Sequence, residues 1–263
     1  MSTISILIFA SVVLIILLLF GSFGKSKNKF PLQTDYSKQV GTTYQREKVK
    51  QFFDPFERAG QEDLEGYHIV MAVDTLGKPK DYKAPASDLD NWPPPISISY
   101  YIFNIRGELV KSNYLFILTD EIPSDQVLNE YGISKDYFKA KGIPAKEAYQ
   151  QIKIDAASCK NLVAHNVSYL KKIIYADFKR NKVPFPFGKM RTTCTMKETT
   201  KFVGIEADYG DDYKWPNLEE LIDACFFVSM DPEGIEIPEA QNSRWKARSI
   251  AKCFIYLKKI DEL

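Results

Sequence analysis

A mixed α/β domain carried behind one membrane-spanning helix is the architecture this sequence predicts. Three observations predict it: an uncharged apolar run near the N-terminus, three strand-like segments in succession, and then helical and strand-like segments in alternation. The bulk composition agrees. A chain of 263 residues that is 45% hydrophobic and 26% charged suits one ordinary globular domain with an appendage and excludes disorder throughout.

The apolar run comes first. Ile4 to Phe20, ISILIFASVVLIILLLF, contains no charged residue, and with the residues up to Gly24 it reaches the roughly 20 needed for a helix to cross a bilayer core. Lys25, Lys27 and Lys29 follow the run and none precedes it, so the positive-inside bias expects the N-terminus outside and the rest of the chain in the cytoplasm. The competing reading is an export signal, cleaved poorly or not at all, which would want its basic residues before the run. Residues 25–66 are polar, with scattered aromatics and no sustained period. They read as a juxtamembrane tether with a short helix near Gln45 to Phe56, whose lysines suit anionic head groups.

The globular pattern occupies residues 67–263. Tyr67 to Val73, YHIVMAV, is a short apolar run; Ile96 to Asn104, ISISYYIFN, alternates; Glu108 to Leu118, ELVKSNYLFIL, follows the turn residues Arg106-Gly107. Three such runs in a row predict an antiparallel meander. Helices are expected over Ser124 to Tyr131, Ser134 to Lys141 and Pro144 to Ser158, the last opening on a proline. Asn161 to Asn166 is a brief buried-strand candidate, Ser168 to Val183 is amphipathic at helical spacing, and Arg244 to Lys259 is a final helix. There is no internal repeat.

Charge and cysteines exclude several classes. Lys plus Arg number 35 against 34 acids, so a polyanion would have to be held by a local patch. Cys159, Cys194, Cys225 and Cys253 are widely spaced with no C-x-x-C pair. They indicate neither a zinc site nor a disulfide scaffold, and read as buried thiols in a reducing compartment.

Several ordered motifs carry a resemblance. Gly77 to Pro93 holds GKPKDYKAP and SDLDNWP; YGIS, LVAHN, CTMK at Cys194 to Lys197, YKWPNLEEL from Tyr213 and AKCF at Ala251 follow in order. From Tyr67 onward the chain resembles the DEDDh 3′–5′ exonuclease family, typified by the proofreading epsilon subunit of DNA polymerase III. The resemblance implies a ribonuclease H-like fold, a mixed five-stranded sheet flanked by helices. It also implies two-metal hydrolysis of phosphodiesters, in which clustered carboxylates hold two Mg²⁺ or Mn²⁺ ions about 4 Å apart.

Carried over position by position, the family's catalytic set is degenerate here. The first-strand Asp falls on Ala72 and its companion Glu on Asp74; the second-motif Asp falls on Leu170. An ungapped register places the general-base His on Gln241 and the last Asp on Lys246, and a gapped one places them on Trp245 and Ile250. The chain's only histidines are His68 and His165, and Arg244 to Ile260 contains no acid. Asp74 alone survives as a metal ligand. The loop acids Asp81, Asp88 and Asp90 are expected to be solvated turn residues. A cation at Lys246 would repel a divalent ion at about 4 Å by roughly 4 kcal/mol per unit charge pair, and loss of a general base forfeits about 10²–10⁴ in rate.

The expectation is a membrane-anchored pseudo-exonuclease that needs no cofactor and acts as a nucleic-acid- or nucleotide-binding module or recruits a protein partner. The alternative is an active exonuclease with an unusual Mg²⁺ or Mn²⁺ site. Thr75, Leu76, His165, Asn166 and Lys246 are the expected nucleic-acid contacts, with Lys171, Lys172, Arg180, Lys182, Arg244 and Arg248 bordering the cleft or forming solvated helix faces. Tyr100, Tyr101, Phe103, Tyr114 and Phe116 are expected in the sheet core rather than on a stacking surface.

Overall fold

The computed structural model describes residues 67–119, 122–207, 212–227 and 240–263. The expected anchor over 1–24, the tether over 25–66 and its short helix lie outside the described residues. Among the described residues, no helix is long and apolar enough to cross a membrane.

The meander expected from the alternating runs forms first: β1 (Tyr67–Thr75), β2 (Pro95–Phe103) and β3 (Leu109–Leu118). Then come α1 (Asp125–Glu130), α2 (Lys135–Lys141), β4 (Gly142–Pro144), α3 (Ala145–Asp155), β5 (Cys159–Ala164), α4 (Val167–Arg180) and β6 (Arg191–Cys194). The chain continues through α5 (Thr195–Glu198), α6 (Thr200–Val203), α7 (Leu218–Ile222) with a π-helical turn over Asp223–Phe227, and α8 (Ser243–Lys259).

The strands make one six-stranded mixed sheet in the order β4-β3-β2-β1-β5-β6. β1, β2 and β3 pair antiparallel, while β4, β5 and β6 each join their neighbour in parallel. The expected number was five. The two edge strands account for the correction, because β4 is three residues ending in proline and β6 is the polar RTTC. Neither is long or apolar enough to show a strand period.

Central strand β1 is covered on both faces, which is why it reads as a nearly continuous apolar run. Its period of two separates the faces. Tyr67, Ile69 and Met71 pack with Ile98, Tyr100, Tyr149, Ile174 and Phe178 beneath α3 and α4. Val70 and Ala72 face the other way, against Tyr101, Phe103, Ala247, Ile250 and Phe254 beneath α8. By the same alternation Asp74 falls on the α8 side. Tyr100, Tyr101, Phe103 and Phe116 are buried as expected, whereas Tyr114 is half-buried.

The helix ends follow from local chemistry. Asn166 sits in the left-handed region at φ 66° and caps α4, its side chain accepting from the Tyr169 N–H. Asn217 and Glu220 form a reciprocal capping box at α7. Asn242 caps α8 by accepting from the Trp245 N–H. All four cysteines are buried.

Candidate functional site

Asp74 lies at the C-terminal end of β1, and its side chain is fully buried. A buried carboxylate needs partners for its oxygens, and here every partner comes from the protein. Oδ2 accepts from Ser97 Oγ at 2.6 Å and from the Ser243 backbone N–H at 2.6 Å. Ser97 Oγ is also 2.6 Å from Ser243 Oγ. With the Ser97 proton committed to Asp74, the Ser243 hydroxyl donates to Ser97. Oδ1 accepts from Lys246 Nζ at 2.9 Å.

This arrangement follows from the position of α8. Ser243 is its first residue, so its N–H has no partner within the helix, and the Asp74 carboxylate meets the positive end of the helix dipole. The first turn otherwise contains no acid, and it carries Arg244 and then Lys246, an unfavourable sign at a helix N-terminus. The Asp74 charge offsets that. Lys246 remains about one-third exposed, and its ammonium stands 5.3 Å from the centroid of the Tyr131 ring. Tyr131 donates its hydroxyl to the Thr75 carbonyl at 3.3 Å. Burial, with the Asp74 charge second, pushes the Tyr131 phenol up to about 12. The Arg244 guanidinium lies 6.0 Å from the Tyr114 ring, and burial followed by the Asp74 charge raises that phenol as well.

The other expected positions separate. Ala72 is buried beside Ala247 and Ile250. Leu170 packs in the main core with Ile174 and Phe178. Gln241 donates to Glu219, and Trp245 packs against Leu221, Cys225 and Leu257. Lys246 thus reaches Asp74 through its side chain and Ser243 through its backbone N–H, while Ile250 lies in the apolar layer. Thr75 is buried and donates to the Gly77 carbonyl at 2.7 Å, and Leu76 packs with Ile96 and Phe116. His165 Nε2 is 3.0 Å from the Pro216 carbonyl, so it carries the proton, and Nδ1 accepts from Thr195 Oγ1 at 3.1 Å. Burial pushes the imidazole down to about 4.

A second group of residues shapes the rim. The loop over residues 77–94 is fixed at several points. Asn91 Oδ1 accepts from the Asp81 N–H at 2.6 Å and its Nδ2 donates to the Asp81 carbonyl at 2.9 Å; Trp92 Nε1 donates to the Pro85 carbonyl at 2.9 Å. Arg180 donates to the carbonyls of Leu89 and Trp92 and pairs with Asp177 at 2.7 Å. Lys172 donates to the Tyr82 carbonyl at 2.9 Å and lies 5.1 Å over Trp92. Arg180 and Lys172 thus clamp this loop, a role that neither the cleft-bordering nor the solvated-face reading of them included. Asp81 accepts from the Lys83 N–H at 2.7 Å, and Asp88 and Asp90 are exposed.

The described residues at this site do not fit two divalent ions. Both Asp74 oxygens are engaged, a cation stands against one of them, and the Leu170 side chain has no oxygen. Among the described residues no group of three or more His, Cys, Asp or Glu converges as a metal site would require. Sequence reasoning missed Ser97, Ser243 and Tyr131, because nothing in an isolated serine or tyrosine signals convergence across the fold.

No protein-family profile and no curated sequence matches the chain. Solved structures do. Exonuclease I of E. coli in complex with a dT13 oligonucleotide is 15% identical with a TM-score of 0.53, over 74% of this chain and 41% of that one. The same enzyme without ligand gives 15%, 0.53, 74% and 42%. Exonuclease I from Methylocaldum szegediense gives 14%, 0.52, 74% and 40%. The chain spans about two-fifths of the length of these proteins. At such identity the likeness is one of fold, and the conclusion it carries is that the described domain has the mixed α/β fold of the exonuclease I nuclease structures.

Proposed function

We propose that this chain is an exonuclease-fold protein in which an internal ion pair has taken the place of the metal centre, so that it binds single-stranded nucleic acid or a nucleotide without hydrolysing it. The observation that carries this reading is the saturation of Asp74 by Lys246, Ser97 and the Ser243 N–H. A carboxylate so engaged must surrender a cation and two hydrogen bonds before it can ligate a metal. Leu170 and Gln241 offer no second acid and no base.

Binding is favoured over a purely protein-recruiting role by the charge at this end of the sheet. Arg244, Lys246 and Arg248 lie in the first two turns of α8, and Asp74, which pairs with Lys246, is buried. Phosphates approaching from solvent meet cations first. Residues 1–24 would hold this domain at a membrane surface, on the strength of their uncharged apolar run.

The test uses the full chain in mild detergent with end-labelled single-stranded DNA and RNA, in Mg²⁺ or Mn²⁺. No nucleotide release is expected, with retention of the strand weakening steeply between about 50 and 200 mM salt. Release that an Asp74→Ala substitution stops would overturn the proposal in favour of an unusual metal-dependent exonuclease. Carbonate extraction of membranes tests the anchor, which should stay with the pellet.

A further inference from the structure

We infer that Tyr82 and Tyr169 form a stacking platform for an unpaired nucleobase beside the Asp74–Lys246 pair. The inference deepens the proposed binding role and rests on it. Tyr82 is 58% exposed although its loop is held at several points. Its ring lies 6.0 Å from that of Tyr169 with the planes tilted by 30°, and Tyr169 meets Trp92 edge-on at 6.4 Å. The inner face of Tyr82 is therefore supported by an aromatic layer, and its outer side is left to solvent.

The platform is joined to the cleft. Tyr169 and Val73, the residue before Asp74, pack against the same cluster around Trp92. On the other side of Asp74, the Thr75 carbonyl accepts from the Tyr131 hydroxyl, and Tyr131 carries Lys246 against its ring. The Tyr82–Tyr169 pair and Lys246 thus flank the same end of β1. Lys172, held under Tyr82 by its carbonyl, adds a second cation beside the platform.

An aromatic face with a partly exposed lysine beside it is the chemistry that receives a base and its phosphate. A base stacks on a tyrosine whatever its identity, and the phosphate meets Lys172, whose ammonium holds the loop yet stays partly exposed. The ligand class is accordingly the single strand, read without sequence preference.

The test compares the full chain with its Tyr82→Ala and Tyr82→Trp variants, using fluorescently labelled oligo-dT and an abasic strand of the same length. Tyr82→Ala should weaken oligo-dT binding roughly tenfold and leave the abasic strand unchanged, and Tyr82→Trp should restore the loss. Equal oligo-dT affinity in the parent and Tyr82→Ala overturns the platform while leaving the binding role intact. Failure of both strands to bind at about 50 mM salt overturns the binding role itself. Photocrosslinking of a 5-iodouracil strand to the unaltered chain supplies a measurement that survives if Tyr82→Ala does not fold. Adducts on Tyr82 or Tyr169 support the platform, and adducts confined to other residues overturn it.

Discussion

The ammonium of Lys246 stands 2.9 Å from Oδ1 of Asp74, a fully buried carboxylate 172 positions earlier in the chain. The pair joins the end of the central strand to the first turn of the last long helix. Its acid lies where the resemblance puts a metal ligand, and its base lies where the resemblance puts another.

Asp74→Ala is expected to cost about 3 kcal/mol, because it strands the Ser243 N–H and removes the counterion of Lys246. Lys246→Met is expected to cost somewhat less, since Lys246 is partly solvated and the carboxylate keeps two donors. The double variant should lose clearly less than the sum. Urea denaturation of the four proteins checks this, and strict additivity would show that the two charges do not couple.

Lys246→Asp brings a second carboxylate against the first. Without metal the variant should melt several degrees below the parent, through like-charge repulsion. Millimolar Mn²⁺ should recover most of that loss, and Ala72→Asp added to it should deepen the response, while the parent should not respond. Thermal melts with and without chelator decide it. Strand cleavage should stay negligible throughout, because Gln241 is not a base.

His165 should contribute an acid-side loss of stability. Its imidazole is pushed down from 6.5 to about 4 by burial, so between those values the unfolded chain takes up a proton that the folded chain refuses. Stability from this group is complete above about pH 6.5 and falls as pH drops toward 4, by about 3 kcal/mol in all. His68 is lowered too, by burial and then by Lys258 and Arg191, and acts in the same direction. Denaturation at several pH values should show a shallower acid slope in His165→Gln than in the parent.

Arg180→Met should free the loop over residues 77–94 by removing the donor that holds the Leu89 and Trp92 carbonyls. Limited trypsin digestion should then cut after Lys80 or Lys83 well before the domain unfolds. In the parent, cleavage there should be slow. An unchanged digestion pattern would place the loop's anchorage in Asn91 and Trp92 instead.

The parts legible in the sequence were those with a period or a motif behind them. β1 showed as an apolar run, β2 as alternation, and α4 and α8 as helical spacing, whereas α7, opened by the Asn217–Glu220 capping box, was not among the expected elements. β4 and β6 lacked enough residues for a pattern, and the short α5 and α6 are made by tertiary context rather than propensity. At the site, the loss of acids at Ala72 and Leu170 could be read directly from residue types. The bonds of Ser97 and Ser243 to Asp74 could not, because they join positions 23 and 169 residues apart with no pattern linking them. Arg180 illustrates the opposite difficulty: a basic residue on an amphipathic helix reads as solvated or phosphate-facing, and only the folded loop shows that it serves two carbonyls.

The docking of α8 has a further consequence for how the domain is made. Every strand of the sheet precedes Ser243 in the chain, so during vectorial synthesis the sheet can pair before its last cover exists. Until α8 arrives, Val70, Ala72, Tyr101 and Phe103 present an open apolar layer, and Asp74 ends its strand without a counterion. Contacts that close so long a stretch form late and leave intermediates prone to association. Chains halted before Asn242 should therefore be clients of chaperones, and arrival of the Lys246 turn is the event that retires the nascent sheet from their care.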